Sequence, residues 1–308
     1  MAEHTGRLVH IVDEVPELEG LDELTMVVVL DGFLDAGQAA GQAAGHLADL
    51  GEGSVVATFD VDQLHDYRAR RPPMTFDRDR YTGYEAPRLT VRLLRDTGGT
   101  PFLLLRGPEP DVRWEGFCRA AVEVVERFGV TRTVSLGAVP MAVPHTRPIA
   151  ITHHANDPEL LTGQSPWSGE LRIPASAQAL LEIRLGEQGH DALGFVAHVP
   201  HYLAQLSYPA AAVELLSRLE IGGRLTIDLT ALREAAERTE TEVAEHLEEN
   251  EEVRDVVVAL EQQYDAFRRA EESGSSLLAT DEPLPTGEEI GRQFEQFLAG
   301  LDEEPGTD

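Results

Sequence analysis

Apolar and polar positions along the chain repeat one grammar three times: an apolar run, a turn of Gly, Pro and acids, then apolar residues at helical spacing. The first unit is TMVVVL, DGFLDAG and QAAGQAAGHLADL. The second is PFLLL from Pro101, RGPEPDVR and WEGFCRAAVEVVERFG. The third opens with the strand TRTVSLGAVP and meets MAVPHTRPIAITHHA. Near-continuous apolar strands alternating with helices predict an α/β fold, a mostly parallel sheet flanked by helices. A further strand at 195–199 precedes a helix at 209–219, where Pro209 suits the first turn. Residues 54–60 read as another short strand. RLTVRLLRD at 88–96 alternates more, which predicts a place at the sheet edge.

From Asp228 the pattern changes to Glu- and Ala-rich amphipathic helix. Leu229, Leu232, Ala236, Val243 and Leu247 form one stripe; Val253, Val257, Leu260, Tyr264 and Phe267 form another, with a break near Asn250. Three parts follow: an α/β core over 1–225, an acidic helical hairpin extension over 226–272, and a linker with a short C-terminal helix over 273–308. The stripes pack these helices on the core or on each other, or offer a surface to a partner.

Charge narrows the range of functions. The chain carries 55 acidic residues against 25 Lys and Arg, for a net charge of -30, and all 25 are arginine. This charge repels nucleic-acid backbones and anionic lipid, so neither nucleic acid nor membrane is an expected partner. The opening stretch lacks a charged-then-apolar leader pattern, so the cytoplasm is the expected compartment. The single cysteine, Cys118, sits in a helical apolar pattern and reads as a buried small hydrophobe, with a nucleophile as the alternative.

Ligands of open α/β sheets bind outside the carboxyl ends of the parallel strands. The turns expected there supply Asp31, Asp35, Glu109, Asp111, His145 and His198, with His201 and Tyr202 close by, a mostly acidic cleft. Gly32, Gly37 and Gly41 do not make a dinucleotide fingerprint, and a chain without lysine has no phosphate loop of the G-x-x-x-x-G-K type. Asp31 and Asp35 read as helix-capping and turn-making acids. Gly37, Gly41 and Gly45, four apart, predict close approach of this helix to a neighbour. Neither His198 with His201 nor His153 with His154 has metal-site spacing, so no metal and no cofactor is expected. Arg68, Arg70 and Arg71 form the densest basic cluster. They read as solvated loop charges, or Arg71 or a neighbour reaches the strand ends to bind a carboxylate, as Arg106 and Arg147 would also do.

Six stretches in one order, DGFLDAGQAA, YRARRPP, LLRGPEPDVRWEGF, LGAVPMAVPHTRP, GFVAHVPHY and YPAAAVELLSRL, resemble the proteasome assembly chaperone 2 (PAC2) family. The resemblance covers about 27–219, and the acidic helical extension is similar to the actinobacterial branch. It implies a fold similar to the nucleoside phosphorylase/hydrolase class, homo-oligomers, and a chaperone or adaptor role toward a multisubunit complex such as the proteasome. The family's hydrophobic-Tyr-x tail, which docks on proteasome rings, is replaced here by EEPGTD. The alternative function is a hydrolase- or phosphorylase-like enzyme, or a binder, that takes a nucleoside- or carboxylate-type small molecule in the acidic cleft.

Overall fold

The computed structural model describes residues 7–32, 34–161, 170–249 and 251–272. In chain order the strands are β1 (Val9–Ile11), β2 (Thr25–Asp31), β3 (Ser54–Phe59), β4 (Met74–Asp77), β5 (Arg80–Tyr84), β6 (Thr90–Arg95), β7 (Pro101–Pro108), β8 (Arg132–Met141), β9 (Ile151–Ala155) and β10 (Ala192–Pro200). The helices are α1 (Ala39–Ala48), α2 (Trp114–Phe128), α3 (Ala177–Glu187), α4 (Pro209–Gly223), α5 (Thr230–Glu249) and α6 (Glu251–Glu272).

Eight strands join in the order β1-β3-β6-β7-β2-β8-β10-β9, and β4 pairs with β5 in a separate hairpin. The four central strands, β7, β2, β8 and β10, run parallel; β9 on one flank and β6, β3 and β1 on the other pair antiparallel. The α/β architecture is therefore the expected one, with a mixed sheet. β2 shows why its sequence is apolar throughout. Val27 and Val29 enter the core that holds α1 and α4, while Met26 and Val28 enter the opposite core with α2 and α3. A strand buried on both faces has no polar positions to alternate with.

α1 is built for close approach, but of the three spaced glycines only Gly37 makes it. Ala39, Ala40, Ala43, Ala44 and Leu47 are its buried residues, and they pack toward α4. Gly45 meets nothing, and Gly41 faces the Asp35 carboxylate. The tight contact is at Gly37 in the preceding turn. Its φ is +67°, and an added Cβ would lie 2.8 Å from the Cβ of Tyr208.

β6 does not lie at an edge; it sits between β3 and β7. Its alternation arises because Arg92 and Thr90 share a face that is only partly covered, while Val91 and Leu93 are buried opposite. β1, the β4–β5 hairpin and α3 are elements that the apolar pattern did not reveal.

The chain divides into two compact units, 1–261 and 262–308. In the first, α5 packs on α4, and Leu229, Leu232 and Val243 join the α1/α4 core. The described residues of the second continue α6 to Glu272. The expected linker and short helix at 273–308 lie outside the described residues. No described helix is long and apolar enough to cross a membrane.

Candidate functional site

The parallel strands end at one rim, and the expected residues separate there into two halves. At the β2–β7 half, Asp31 closes β2 while Glu109 and Asp111 follow β7. Each of the two acids after β7 already has a structural partner. Glu109 Oε1 accepts the Ala177 amide at 2.6 Å, which fixes the start of α3, and its Oε2 lies where a Cβ on Gly32 would intrude. Asp111 Oδ2 accepts the Asp66 amide at 2.7 Å, and Oδ1 pairs with Arg70 at 2.7 Å. Burial works against the Asp111 charge, yet that amide and guanidinium hold its carboxyl below the usual carboxylate range. Asp35 accepts the amides of Ala40 and Gly41, both at 2.9 Å, and so caps α1 as the turn chemistry predicts. Burial raises the carboxyls of Asp31 and Asp35, the first opposed by Arg106 and the second by the helix amides.

A cavity of about 490 Å³ opens beside this half, and it is basic rather than acidic. Arg70, Arg71, Arg88, Arg92 and Arg106 line it, with Asp31 and Glu85 as the carboxylates. Glu109 and Asp111 are not among its lining residues, which corrects the expected acidic cleft. Their oxygens are turned to backbone amides, and guanidiniums occupy the space. Arg70 is fixed by Asp111 and by the carbonyl oxygens of Asp31 and Glu109. The side chains of Arg71, Arg88, Arg92 and Arg106 have no hydrogen bond or ion pair among the described residues.

At the β8–β10 half the side chains satisfy one another. The Tyr202 hydroxyl accepts the His145 backbone amide at 2.9 Å and lies 2.7 Å from His145 Nδ1; the His201 ring meets Tyr202 edge-on at 5.5 Å. His198, buried at the end of β10, places Nε2 2.7 Å from the Thr152 hydroxyl. Glu261 of α6 accepts from Thr146 and pairs with Arg147 at 3.2 Å, so the first part of α6 lies against the loop that carries His145. Burial lowers the imidazoles of His145 and His198 and raises the Tyr202 phenol. Backbone bonds link the two halves, Gly37 donating to the Ala204 carbonyl at 2.8 Å and Tyr208 to the Gly37 carbonyl at 2.9 Å, and the Gln178 side chain bridges β2 and β8 by accepting the Leu30 amide and donating to the Leu136 carbonyl.

Elsewhere, Cys118 is on the buried face of α2 with its thiol pushed up to about 12 by burial, which makes it a core side chain and a poor nucleophile. No group of three or more metal-ligating side chains gathers among the described residues. Sequence reasoning missed Arg88 and Arg92 as site residues. Their signal was a pair of arginines four apart, one just before and one within a strand otherwise rich in Leu and Val.

The DAG turn, the strand-end acids and the Pro-His loop now have positions, and these are the stretches that carried the resemblance. The model of the PAC2 family matches residues 29–247. The chain belongs to the PAC2 family. The match continues into α5, beyond the expected limit near 219. Among solved structures, a Mycobacterium tuberculosis protein of unknown function, Rv2714, is 45% identical with a TM-score of 0.83, and the match covers 89% of this chain and 94% of that one. A protein of unknown function from Corynebacterium glutamicum is 39% identical with a TM-score of 0.80, over 85% and 98%. The Mycobacterium tuberculosis proteasome-assembly chaperone homologue Rv2125 is 27% identical with a TM-score of 0.69, over 76% and 99%. No curated protein matches the chain.

Proposed function

We propose that this PAC2-family chain is a cytoplasmic chaperone or adaptor for a multisubunit protein complex, with proteasome subunits as its partners and a homo-oligomer as its own state. The observation that carries the reading is the 27% identity that spans 99% of a protein described as a proteasome-assembly chaperone homologue. Two structural features support it. Asp35, Glu109, Asp111 and His145, which an enzyme would use as proton donors and acceptors, are engaged in capping and cross-linking the fold. The β4–β5 hairpin exposes Met74, Phe76, Tyr81 and Tyr84, each at least half accessible, a surface of the kind that protein partners bury.

The test combines the purified chain with separately expressed actinobacterial proteasome α and β subunits, read by native mass spectrometry and by the rate of particle assembly. A stoichiometric complex with α subunits or with an assembly intermediate is the expected result, weakened by replacing Phe76 and Tyr81 with Ser. A chain that stays unbound, with assembly unaltered at excess, would falsify the reading.

A further inference from the structure

Among the described residues, Asp31, which interacts electrostatically with Arg106, and Glu85 are the carboxylates that line the cavity, and neither is ion-paired with Arg71, Arg88, Arg92 or Arg106. Thr90 pairs with Arg106 and Arg92 with Leu104 across β6 and β7, so Arg92 and Arg106 project from one face of adjacent strands, beside the last turn of α1. Arg71 and Arg88 approach from the two loops that lead into and out of the β4–β5 hairpin. Those loops are held by Pro72, Pro73 and Pro87, and proline fixes φ, so the rim is pre-shaped. Gly107 has φ +145°, and a Cβ there would fall 2.2 Å from the Arg88 carbonyl oxygen. The glycine thus lets the Arg88 segment lie directly on the end of β7.

With Arg70 already paired to Asp111, four guanidiniums against two carboxylates remain in the cavity, a positive excess in a protein whose overall excess is of acid. The volume lies within the range that holds small organic ligands, roughly 300–1,000 Å³. Leu104, Ala48 and the prolines offer an apolar wall, and the ring in the lining, His65, is buried and packed edge-on against Tyr67 rather than laid open for stacking, which favours an aliphatic or sugar body over a nucleobase. Guanidinium forks match phosphate and carboxylate oxygens with paired hydrogen bonds.

We propose that this cavity is a binding site for a small organic dianion, a sugar phosphate or a dicarboxylate, gripped by Arg92 and Arg106 at its floor and by Arg71 and Arg88 at its rim. The site stands independently of the chaperone role.

Isothermal titration calorimetry of the full chain tests it, with ribose 5-phosphate, inorganic pyrophosphate, succinate and citrate as probes at matched ionic strength. Saturable one-to-one binding by a phosphate or a carboxylate probe is expected, and which arm responds identifies the source of the anion. The paired substitution Arg71→Gln and Arg88→Gln, on exposed loop positions that carry little of the fold, should weaken that binding at least about tenfold, the loss of about 1.4 kcal/mol. Arg92→Gln with Arg106→Gln should weaken it further, and Arg233→Gln on α5 should leave it unchanged. Absence of saturable binding by every probe, equal binding by the paired variants, or binding restricted to an acidic peptide such as tetraglutamate would each overturn the proposal.

Discussion

At the β2–β7 end of the sheet, four guanidiniums face a cavity without a hydrogen-bonded partner among the described residues, while at the β8–β10 end His145 bonds to the Tyr202 phenol beside α6 and His198 to the Thr152 hydroxyl. Both ends occupy the rim where α/β proteins place ligands, and both present polar residues there. The difference lies in who satisfies those residues. A polar group that finds its partner within the chain contributes to stability and explains itself. Like charges held together without a partner oppose stability, and clusters of that kind mark functional positions. A polar inventory of the rim therefore misleads unless each group is followed to its partner.

The contrast breaks most directly through the backbone that shapes the basic half. Gly107→Ala places a methyl group 2.2 Å from the Arg88 carbonyl oxygen at a φ that side chains rarely adopt. We expect a loss of about 3 kcal/mol or more in urea unfolding, together with loss of anion binding. An unchanged midpoint would show that the Arg88 segment is free to retreat, and the pre-shaped rim would fall with it. Next in size, Asp35→Ala removes the acceptor for Ala40 and Gly41 and should cost about 1–2 kcal/mol. Asp35→Asn should restore part of that loss, since an amide oxygen also caps.

How much of this was legible in the sequence depends on whether the cause was local. β2, β7, β8 and α2 follow from apolar periodicity, because each is buried in the way that its own pattern implies. The hairpin was hidden because its turn is Asp77-Arg78-Asp79, with Arg78 at φ +57°, where a glycine or asparagine would have announced it. α3 was hidden because only Ala177, Leu181 and Leu185 are buried along it, a stripe too thin to read. β6 was misplaced because alternation reports one uncovered face, and a strand inside the sheet shows the same pattern when a cavity lies over it. Asp31 closes β2 and His198 stands two residues before the end of β10. Their roles were not readable. Glu109 meets the amide of Ala177, 68 residues later, and only tertiary packing brings that donor to it.

The partnered half yields smaller effects. Tyr202→Phe deletes the hydroxyl that holds the His145 amide and ring, and should cost about 1 kcal/mol by urea unfolding while leaving anion binding intact. Loss of anion binding in this variant would merge the two halves into one site. Acidity gives a graded test. Burial holds His145, His153 and His198 below the ordinary imidazole value, so the unfolded chain takes up protons first. Stability should therefore fall as pH drops below about 6.5 and continue to fall until the folded imidazoles also titrate. Asp31 and Asp35 act in the opposite sense at lower pH. Their carboxyls are raised by burial, the folded state protonates first, and acidification toward pH 4 relieves part of the cost. A urea midpoint that rises between pH 7 and pH 5.5 would contradict the assignment of the buried histidines.

The smallest effect is the most discriminating, because its sign matters more than its size. Arg92 is half-buried, has no hydrogen-bonded or ion-paired partner among the described residues, and shares its cavity with four other guanidiniums. If its charge served the fold, Arg92→Gln would destabilise the protein as Tyr202→Phe does. If the cluster is kept for an anion, the same change removes repulsion, and stability without ligand should stay within about 0.5 kcal/mol of the parent or rise. Arg92 stands directly opposite Leu104 on the neighbouring strand, so Arg92→Ala would remove the side-chain stem together with the charge, and glutamine is the appropriate probe. Raising the salt concentration screens exposed like charges and should narrow any gain. A clear loss of stability in Arg92→Gln that salt does not alter would make this arginine a structural residue, and the two halves of the rim would then be alike.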